Sequence, residues 1–251
     1  MNAEPYEVHA IRYGTVARRA SENFIGGDPH DSSQQMDYFV WVVRNTQRTV
    51  VVDTGFTPES ARRRKRQLLL PPGEGLRLLG VDPGQVEEVI LTHLHYDHAG
   101  NFEQFPRARL HLQDAEMTFA TGRYMSHDFF SHGYELEEVL AMVRGVYAGR
   151  VVFHDGDAVL APGLSVHHIG GHTMGLQCVR VWTRTGWIVL ASDAAHYYAN
   201  MDEVRPFPIV FDVGKMVDGY RRLRELAGSR VEIGQSGGNS VDSFWFHAAM
   251  S

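Results

Sequence analysis

Hydrophobic and polar residues alternate, or form short apolar runs, over much of the first half of the chain. Residues 6–16 alternate along Tyr-Glu-Val-His-Ala-Ile, and a period of two is typical of a half-buried strand. Two more strands are predicted at residues 38–44 and 49–52, with a turn at residues 45–47 between them. The apolar run Val89-Ile90-Leu91-Thr92 predicts a further strand, which is buried.

The rest of the chain mixes strand and helix patterns. Asp114 is a predicted N-cap for a helix that begins at Ala115, since Asp is a preferred capping residue. Helices are also predicted at residues 59–70, 135–145 and 213–226, and strands at residues 109–112, 151–153, 164–169, 176–183 and 187–191. No linker splits this series, so we predict one mixed α/β (α+β) domain over residues 1–251.

Composition and charge exclude several classes of protein. Hydrophobic residues make up 43% and charged residues 22% of the 251 residues, which is ordinary for a soluble globular protein. The net charge of −6 argues against nucleic-acid binding, which favours basic surfaces. The N-terminus lacks a signal-peptide pattern, no run is long enough to span a membrane, and Cys178 is the only cysteine. We therefore expect a cytoplasmic protein without a disulfide that binds neither nucleic acid nor membrane.

Two stretches leave alternatives open. The basic run at residues 62–66 fits a solvated helix face better than a phosphate or membrane contact. The segment at residues 124–132 is rich in aromatic residues and histidine. It fits an apolar substrate pocket, ordinary helix packing or a dimer contact, so a homodimer remains among the expectations.

Candidate chemistry is concentrated directly after the buried strand, where His93, His95, Asp97 and His98 fall within six positions. On an extended chain His93 and His95 project to the same side, whereas Asp97 and His98 follow as the chain turns. Imidazole nitrogen and carboxylate oxygen are the ligands that zinc, iron and manganese prefer. A histidine tag would be a homopolymer at a terminus, so this internal stretch predicts a metal site.

Three polar residues elsewhere also follow predicted strands. Asp53 is followed by Thr54-Gly55, and a turn cap and a site residue explain it equally well. His172 stands in Gly170-Gly171-His172-Thr173, and Asp193 follows an apolar run at residues 188–191. These positions favour a ligand role for His172 and Asp193 over packing or turn formation.

In their order along the chain, these landmarks resemble the metallo-β-lactamase superfamily. The resemblance rests on Asp53, the H-x-H-x-D-H motif, Gly171-His172-Thr173 and Ser192-Asp193. Within that superfamily, the run from Asp193 to Tyr198 and the chain length are similar to those of N-acyl homoserine lactonases. The resemblance implies a four-layer αβ/βα sandwich with metal ions at one edge, between two sheets.

The resemblance also implies a ligand set, two Zn²⁺ ions (manganese or iron being alternatives) and a reaction. The implied ligands are His93, His95 and His172 for a first metal, Asp97 and His98 for a second, and Asp193 as the bridge. Two cations about 3.5–4 Å apart share a hydroxide and direct it at a carbonyl carbon. The implied function is quorum quenching, in which a metal-bound hydroxide opens a lactone ring such as that of an N-acyl homoserine lactone, and Asp97 moves a proton to the leaving group.

The sequence departs from the family pattern at two places. Gln235 stands where the family has a further histidine for the second metal, and a carboxamide is a poorer zinc ligand than an imidazole. Three alternatives follow: Gln235 or water fills that position, His247 replaces the histidine, or the second metal binds weakly or not at all. His196 stands where lactonases often have a tyrosine, and Tyr197 and Tyr198 follow it. Any of the three is a candidate for a hydrogen bond to the substrate carbonyl, and we take His196 and Tyr197 forward as catalytic candidates with Asp97.

Two other functions compete with the lactonase. A glyoxalase II-like thioesterase would use the same metal chemistry on an acyl thioester. A non-catalytic metal-binding or ligand-binding relative would have lost the second metal site, and Gln235 is the only residue that supports it.

Overall fold

The computed structural model describes residues 3–228, 231–232 and 235–236, and the strands in this part of the chain form two sheets. In the first sheet the order is β4 (Gln67–Leu68), β1 (Glu7–Arg19), β2 (Ser33–Arg44), β3 (Thr49–Val52), β5 (Glu88–Ile90), β6 (Arg109–Gln113) and β7 (Val151–His154), with β13 (Gln235–Ser236) paired to β2. Antiparallel pairing joins β1, β2 and β3, whereas β3, β5, β6 and β7 run parallel to one another.

The second sheet is antiparallel except for one parallel pair at its edge. Its order is β12 (Val231–Glu232), β11 (Gly186–Leu190), β10 (Gln177–Thr183), β9 (Leu164–His168) and β8 (Ala158–Ala161). The described α-helices are α1 (Pro58–Arg63), α2 (Pro72–Leu78), α3 (Tyr96–Ala99), α4 (Asp114–Ala120), α5 (Asp128–Ser131), α6 (Leu136–Tyr147), α7 (Tyr198–Asp202) and α8 (Val213–Ala227).

Apolar side chains bury both faces of each sheet. Trp41 and Ile90 of the first sheet share one cluster with Val181 of the second, so the two sheets pack face to face. A second cluster contains Met142 of α6 and covers the outer face of the first sheet, and a third contains Leu223 of α8 and covers the second sheet. The resulting helix–sheet–sheet–helix arrangement is the expected α/β fold and four-layer sandwich.

The sheets also place the predicted ligand residues. Asp53 follows β3, and His93 lies shortly after β5, the parallel neighbour of β3. Polar residues that follow neighbouring parallel strands emerge at the same sheet edge. His172 follows β9, and Asp193 follows β11 in the second sheet. The candidate site therefore lies where the ends of both sheets meet.

Most strand predictions are confirmed, but the helix predicted at residues 59–70 is wrong beyond Arg63. Lys65 adopts a left-handed backbone (φ 55°), and β4 then pairs with β1. The basic run is correspondingly only partly solvated. The guanidinium of Arg64 stacks 4.0 Å from the ring centroid of Tyr96, and Arg66 Nε donates to Tyr96 Oη over 3.1 Å.

Two smaller differences concern strand β8 and helix α4. The sequence pattern missed β8, which lies between two turns that it did predict. Helix α4 begins at Asp114 itself, with Gln113 in the N-cap position. In the described part of the chain, the helices all lack either the length or the apolar character needed to cross a bilayer.

Candidate metal site

The H-x-H-x-D-H stretch spans the passage from an extended segment to a helix. Strand β5 ends at Ile90, and α3 begins at Tyr96, with His95 as its N-cap residue in an extended conformation. His93 and His95 therefore precede the helix, whereas Asp97 and His98 belong to its single turn. This change of backbone direction lets four nearby residues of one segment face two different points.

The structure brings all six predicted ligand residues together, and all six are buried. They form two groups in which each residue offers one nitrogen or oxygen atom, and the offered atoms of a group lie within 4.8 Å of one another. One group is His93, His95, His172 and Asp193, and the other is Asp97, His98 and Asp193. Asp193 is thus common to both groups.

The two carboxylate oxygens of Asp193 face different histidines. Asp193 Oδ2 lies 3.2 Å from His172 Nε2 and 3.9 Å from His93 Nε2. Asp193 Oδ1 lies 3.3 Å from His98 Nε2. One side chain therefore contacts both groups, as a bridging ligand must.

Hydrogen bonds from outside these groups orient two of the histidines. His98 Nδ1 lies 2.7 Å from Asp53 Oδ2, and His172 Nδ1 lies 2.7 Å from the carbonyl oxygen of Ile209. Asp53 in turn accepts from the backbone N–H and the hydroxyl of Thr92. The alternative left open for Asp53 is thereby decided, because Asp53 supports the site from the far side of His98.

These bonds also supply a test of whether a cation fits. The Ile209 carbonyl oxygen can only accept a hydrogen bond, so Nδ1 of His172 carries the proton. In the neutral ring, Nε2 then carries a lone pair. That nitrogen lies 3.2 Å from Asp193 Oδ2 and 2.9 Å from His95 Nδ1. A buried lone pair beside a carboxylate oxygen is repelled unless a proton or a cation lies between the two atoms.

Two further atoms support the same conclusion. Asp193 Oδ1 and His93 Nε2 are buried and make no hydrogen bond within the described residues, and the contact of Oδ1 with His98 is an ion-pair distance of 3.3 Å. Buried polar groups are normally satisfied, and exceptions need an explanation such as an ion. Together with the imidazole and carboxylate donor set, these atoms fit one or two transition-metal cations.

Burial keeps three of the histidines neutral. It lowers the pKa of His93 and His95 well below the usual value, and neighbouring histidines add to the effect. Burial also lowers the pKa of His172 to about 4, against the opposing attraction of Asp193. A neutral imidazole is the form that binds a metal, so these three side chains are ready to coordinate at neutral pH.

At His98 and Asp193 the neighbouring charges dominate instead. Burial disfavours the imidazolium of His98, but Asp193, Asp53 and Asp97 outweigh burial and raise its pKa well above the usual value. Burial likewise opposes the charge of Asp193, and the histidines around it outweigh burial and hold the pKa of Asp193 well below its usual range. The site thus favours positive charge between its carboxylates.

His196 and Tyr197, the two catalytic candidates that follow Asp193 in sequence, have different surroundings. His196 Nε2 lies 3.1 Å from Asp193 Oδ2, and its ring stacks on Phe207 with 3.7 Å between centroids. The ring of Tyr197 lies in the aromatic packing around Phe24 and Phe207, at 6.4 Å from each centroid. His196 is therefore next to the ligand cluster and contacts Asp193 Oδ2, the oxygen that also faces His172. The catalytic role of Tyr197 stays a prediction.

The backbone of Gln235 pairs with Tyr38 in β2. Its side chain lies outside the described part of the structure, and so does His247. The alternatives for the second metal's remaining ligand therefore stay open.

An apolar cavity of about 230 Å³ adjoins the first group of ligands. His95 and His172 form one wall, and residues of the aromatic segment form another. The remaining wall contains Ile209 and its neighbours, and the lining as a whole comprises His95, Phe119, Phe129, Phe130, His132, His172, Pro208, Ile209 and Val210. Within residues 124–132, Phe129, Phe130 and His132 line this pocket, as one of the sequence interpretations predicted. Tyr124 instead packs on Phe119 and Phe211.

Sequence reasoning missed two residues beside the site. Glu116 is fully buried in α4, and the ring of Tyr134 packs edge-on against His95 with 4.7 Å between centroids. Neither belongs to a motif, and a glutamate early in a helix is ordinary in sequence. Only the burial of Glu116 marks it as unusual.

Comparisons with known proteins agree with this geometry. The family model described as the metallo-beta-lactamase superfamily matches residues 36–232. The chain is 32% identical over 209 residues to the N-acyl homoserine lactonase AiiB of Agrobacterium fabrum. The aligned region covers 72% of this chain and 75% of that protein.

Two solved structures share the fold. A quorum-quenching N-acyl homoserine lactone lactonase superposes with a TM-score of 0.78 at 20% identity, over 94% of both chains. An N-acyl homoserine lactone hydrolase with the product N-hexanoyl-L-homoserine at its catalytic metal centre superposes with a TM-score of 0.75 at 21% identity, over 91% of this chain and 92% of that one.

Proposed function

The chain belongs to the metallo-β-lactamase superfamily, and from that membership we propose that it is a metal-dependent hydrolase that opens the ring of N-acyl homoserine lactones. One observation carries the proposal: two groups of ligand residues share Asp193 beside an apolar cavity. The Agrobacterium relative is a lactonase for this class of substrate. An N-acyl chain is apolar and a lactone is polar, which matches a cavity that adjoins a cluster of histidines.

We propose that His93, His95 and His172 hold one cation, that Asp97 and His98 hold another, and that Asp193 bridges the two. Zinc is the proposed metal because it favours nitrogen and oxygen donors, with manganese or iron as alternatives. Bound cations of this kind polarise a carbonyl oxygen and lower the pKa of a coordinated water towards neutrality. Gln235, His247 or a water molecule would complete the second group.

The protein's own residues would position the lactone and move the proton. Phe129, Phe130 and Ile209 in the cavity wall exclude water from the acyl chain. His196 is supported as a donor to the substrate carbonyl by its place beside Asp193 and its fixed stacking on Phe207. In the reaction, oxygen from water bonds to the carbonyl carbon, the ring C–O bond breaks, and Asp97 passes the proton to the leaving alkoxide.

A substrate panel tests this function. Protein loaded with Zn²⁺ is assayed with N-acyl homoserine lactones, with acyl thioesters and with simple esters. We expect the lactones to be hydrolysed fastest, and we expect His95→Ala and Asp193→Ala to reduce turnover to background because each removes a ligand. Circular dichroism checks that both variants remain folded.

The other outcomes favour the competing functions. Faster hydrolysis of thioesters would identify a glyoxalase II-like enzyme. If no substrate reacted even with excess Zn²⁺ or Mn²⁺, a non-catalytic metal-binding or ligand-binding relative would replace the lactonase. Full activity in either variant would contradict the proposed ligand set.

The biological setting is part of the proposal. Hydrolysis of N-acyl homoserine lactones would quench quorum signals, and a cytoplasmic location and a homodimer remain predictions from the sequence. Cell fractionation tests the location, and light scattering of the purified protein tests the dimer.

A further inference from the structure

Glu116 is a buried carboxylate that lies outside both groups of ligands. It stands near the start of α4, and its side chain has no exposed surface. Glutamate is almost never fully buried unless polar partners compensate for the loss of water. The partners of Glu116 therefore show what this residue does in the fold.

Four donors surround the Glu116 carboxylate. Oε1 accepts from the backbone N–H of Leu94 over 3.0 Å and from the hydroxyl of Tyr134 over 2.8 Å. Oε2 accepts from the hydroxyl of Thr173 over 2.6 Å and from the backbone N–H of Gly175 over 3.2 Å. An ionised carboxylate has only acceptor sites, so it matches this set of partners completely.

Three of the four donors belong to segments that carry candidate ligands. Leu94 lies between His93 and His95, and Thr173 directly follows His172. Tyr134 also places its ring edge-on against the ring of His95. Through one side chain, therefore, the turn after β5 is tied to the turn after β9, although the two turns are far apart in sequence.

The backbone around Glu116 leaves little room for movement. A Cβ atom added to Gly175 would lie 2.0 Å from the backbone nitrogen of Glu116, so only glycine permits this close approach. Burial raises the pKa of Glu116, and the four donors oppose that effect. Hydrogen bonds to a charged acceptor are stronger than neutral ones, and four of them converge on this side chain.

We propose that Glu116 is a positioning residue of the metal site, holding the His93–His95 segment and the His172 turn at the separation that metal binding requires. The inference rests on the metal-dependent function proposed above. Residues that orient metal ligands typically change metal affinity by about 10–100-fold when they are replaced. A carboxylate that merely filled space would affect the stability of the metal-free protein and leave the affinity unchanged.

The test measures zinc affinity by competition with a chromophoric chelator, together with the melting temperature of the metal-free protein. We expect Glu116→Gln to lower the affinity about 10-fold or more, because the carboxamide turns an N–H₂ group towards two donors. Tyr134→Phe removes one hydrogen bond and keeps the ring beside His95, so a smaller loss is expected. Tyr220→Phe is the matched control, because the Tyr220 hydroxyl is buried without a hydrogen-bond partner among the described residues.

A second pair of variants covers the case in which Glu116→Gln does not fold. Thr173→Val removes one donor at nearly constant volume, and Thr173→Ser restores the hydroxyl. We expect Thr173→Ser to recover most of the affinity that Thr173→Val loses. This rescue would not occur if the site tolerated any residue of similar size.

The outcomes separate this inference from the proposed function. If the unaltered protein bound no zinc, the proposed function would fail. If it bound zinc, and the Glu116, Tyr134 and Thr173 variants bound it equally well while only their melting temperatures fell, Glu116 would be a structural residue and the inference would be overturned.

Discussion

Four buried carboxylates lie in or beside the candidate site, and their neighbours give each a different role. Asp193 lies among histidines and contacts both ligand groups. Asp53 accepts from Thr92 and orients His98, and Glu116 accepts from four donors without contacting a ligand side chain. Asp97 completes the second group. Residue type alone does not distinguish these roles, because the partners of each carboxylate decide its chemistry.

A fifth acidic residue, Glu138 in α6, lacks such partners. Its Oε2 atom is buried without a hydrogen-bond partner among the described residues. Burial, followed by repulsion from Glu135 and Asp97, raises the pKa of Glu138 from 4.5 to about 8. Between these two pH values the folded protein holds a proton that the unfolded chain releases, so Glu138 makes stability fall as the pH rises.

We expect Glu138→Gln to raise the free energy of unfolding at pH 8 by about 1–3 kcal/mol. One pKa unit corresponds to about 1.4 kcal/mol, and partial exposure of the Glu138 side chain to water makes the full effect smaller than the pKa shift alone implies. At pH 5 the effect should be much smaller. Urea denaturation at both pH values measures the difference. Glu137→Gln, at an exposed position of the same helix, is the control, and an equal effect of Glu138→Gln at both pH values would contradict the assignment.

At the scale of elements, the residues in and beside the site stand on short segments that follow strands. Asp53 and Ser192 both adopt left-handed backbones, with φ of 59° and 50°. Such conformations are costly for residues other than glycine, and they concentrate at functional sites. Hydrogen bonds from Thr92 to Asp53 and between the Thr92 and Ser192 hydroxyls hold the turns together.

The turn before His172 depends on a glycine. Gly171 has φ of 85°, and a Cβ atom there would lie 2.7 Å from the Cα atom of Met216 in α8. We expect Gly171→Ala to destabilise the fold by about 2–4 kcal/mol, from the positive φ and the clash together. Thermal unfolding measures the loss, and bound zinc per chain should fall because His172 moves with the turn.

Gly170→Ala is a matched control for this prediction. Gly170 also has a positive φ of 69°, but the nearest atom to an added Cβ lies 3.5 Å away. Its substitution should therefore cost only the backbone strain. Equal losses for the two variants would show that α8 does not constrain the turn.

At the scale of the whole molecule, the candidate site connects the two sheets. His93 to His98 follow β5 of the first sheet, whereas His172 and Asp193 follow β9 and β11 of the second. A cation bound by residues from both sheets would stabilise the folded state only, since the unfolded chain does not hold these residues together.

We expect removal of metal by a chelator to lower the melting temperature by about 5–10 °C. A ligand at 100 times its Kd contributes about 2.7 kcal/mol, and 1 kcal/mol corresponds to about 2–4 °C in a protein of this size. Differential scanning calorimetry with and without chelator measures the shift. Asp193→Ala protein should show a much smaller shift, and an equal shift in the two proteins would place the stabilising metal elsewhere.

The sequence predicted the local parts of this protein well. The H-x-H-x-D-H stretch follows a buried strand as expected, and strand β3 and the beginning of helix α8 lie where the hydrophobic pattern placed them. The mixed α/β fold and the family followed from motifs in their order along the chain. These features were predictable because alternation, capping and motif spacing depend on residues that are close in sequence.

The tertiary structure alone decided which distant residues meet. The sequence pattern extended the helix at residues 59–70 too far, because the packing of Arg64 and Arg66 on Tyr96 and the pairing of β4 with β1 are long-range contacts. The role of Glu116 was hidden for the same reason, since its four donors come from three other segments of the chain. Burial and hydrogen-bond partners depend on how the sheets and helices pack, and no local pattern of residues specifies them.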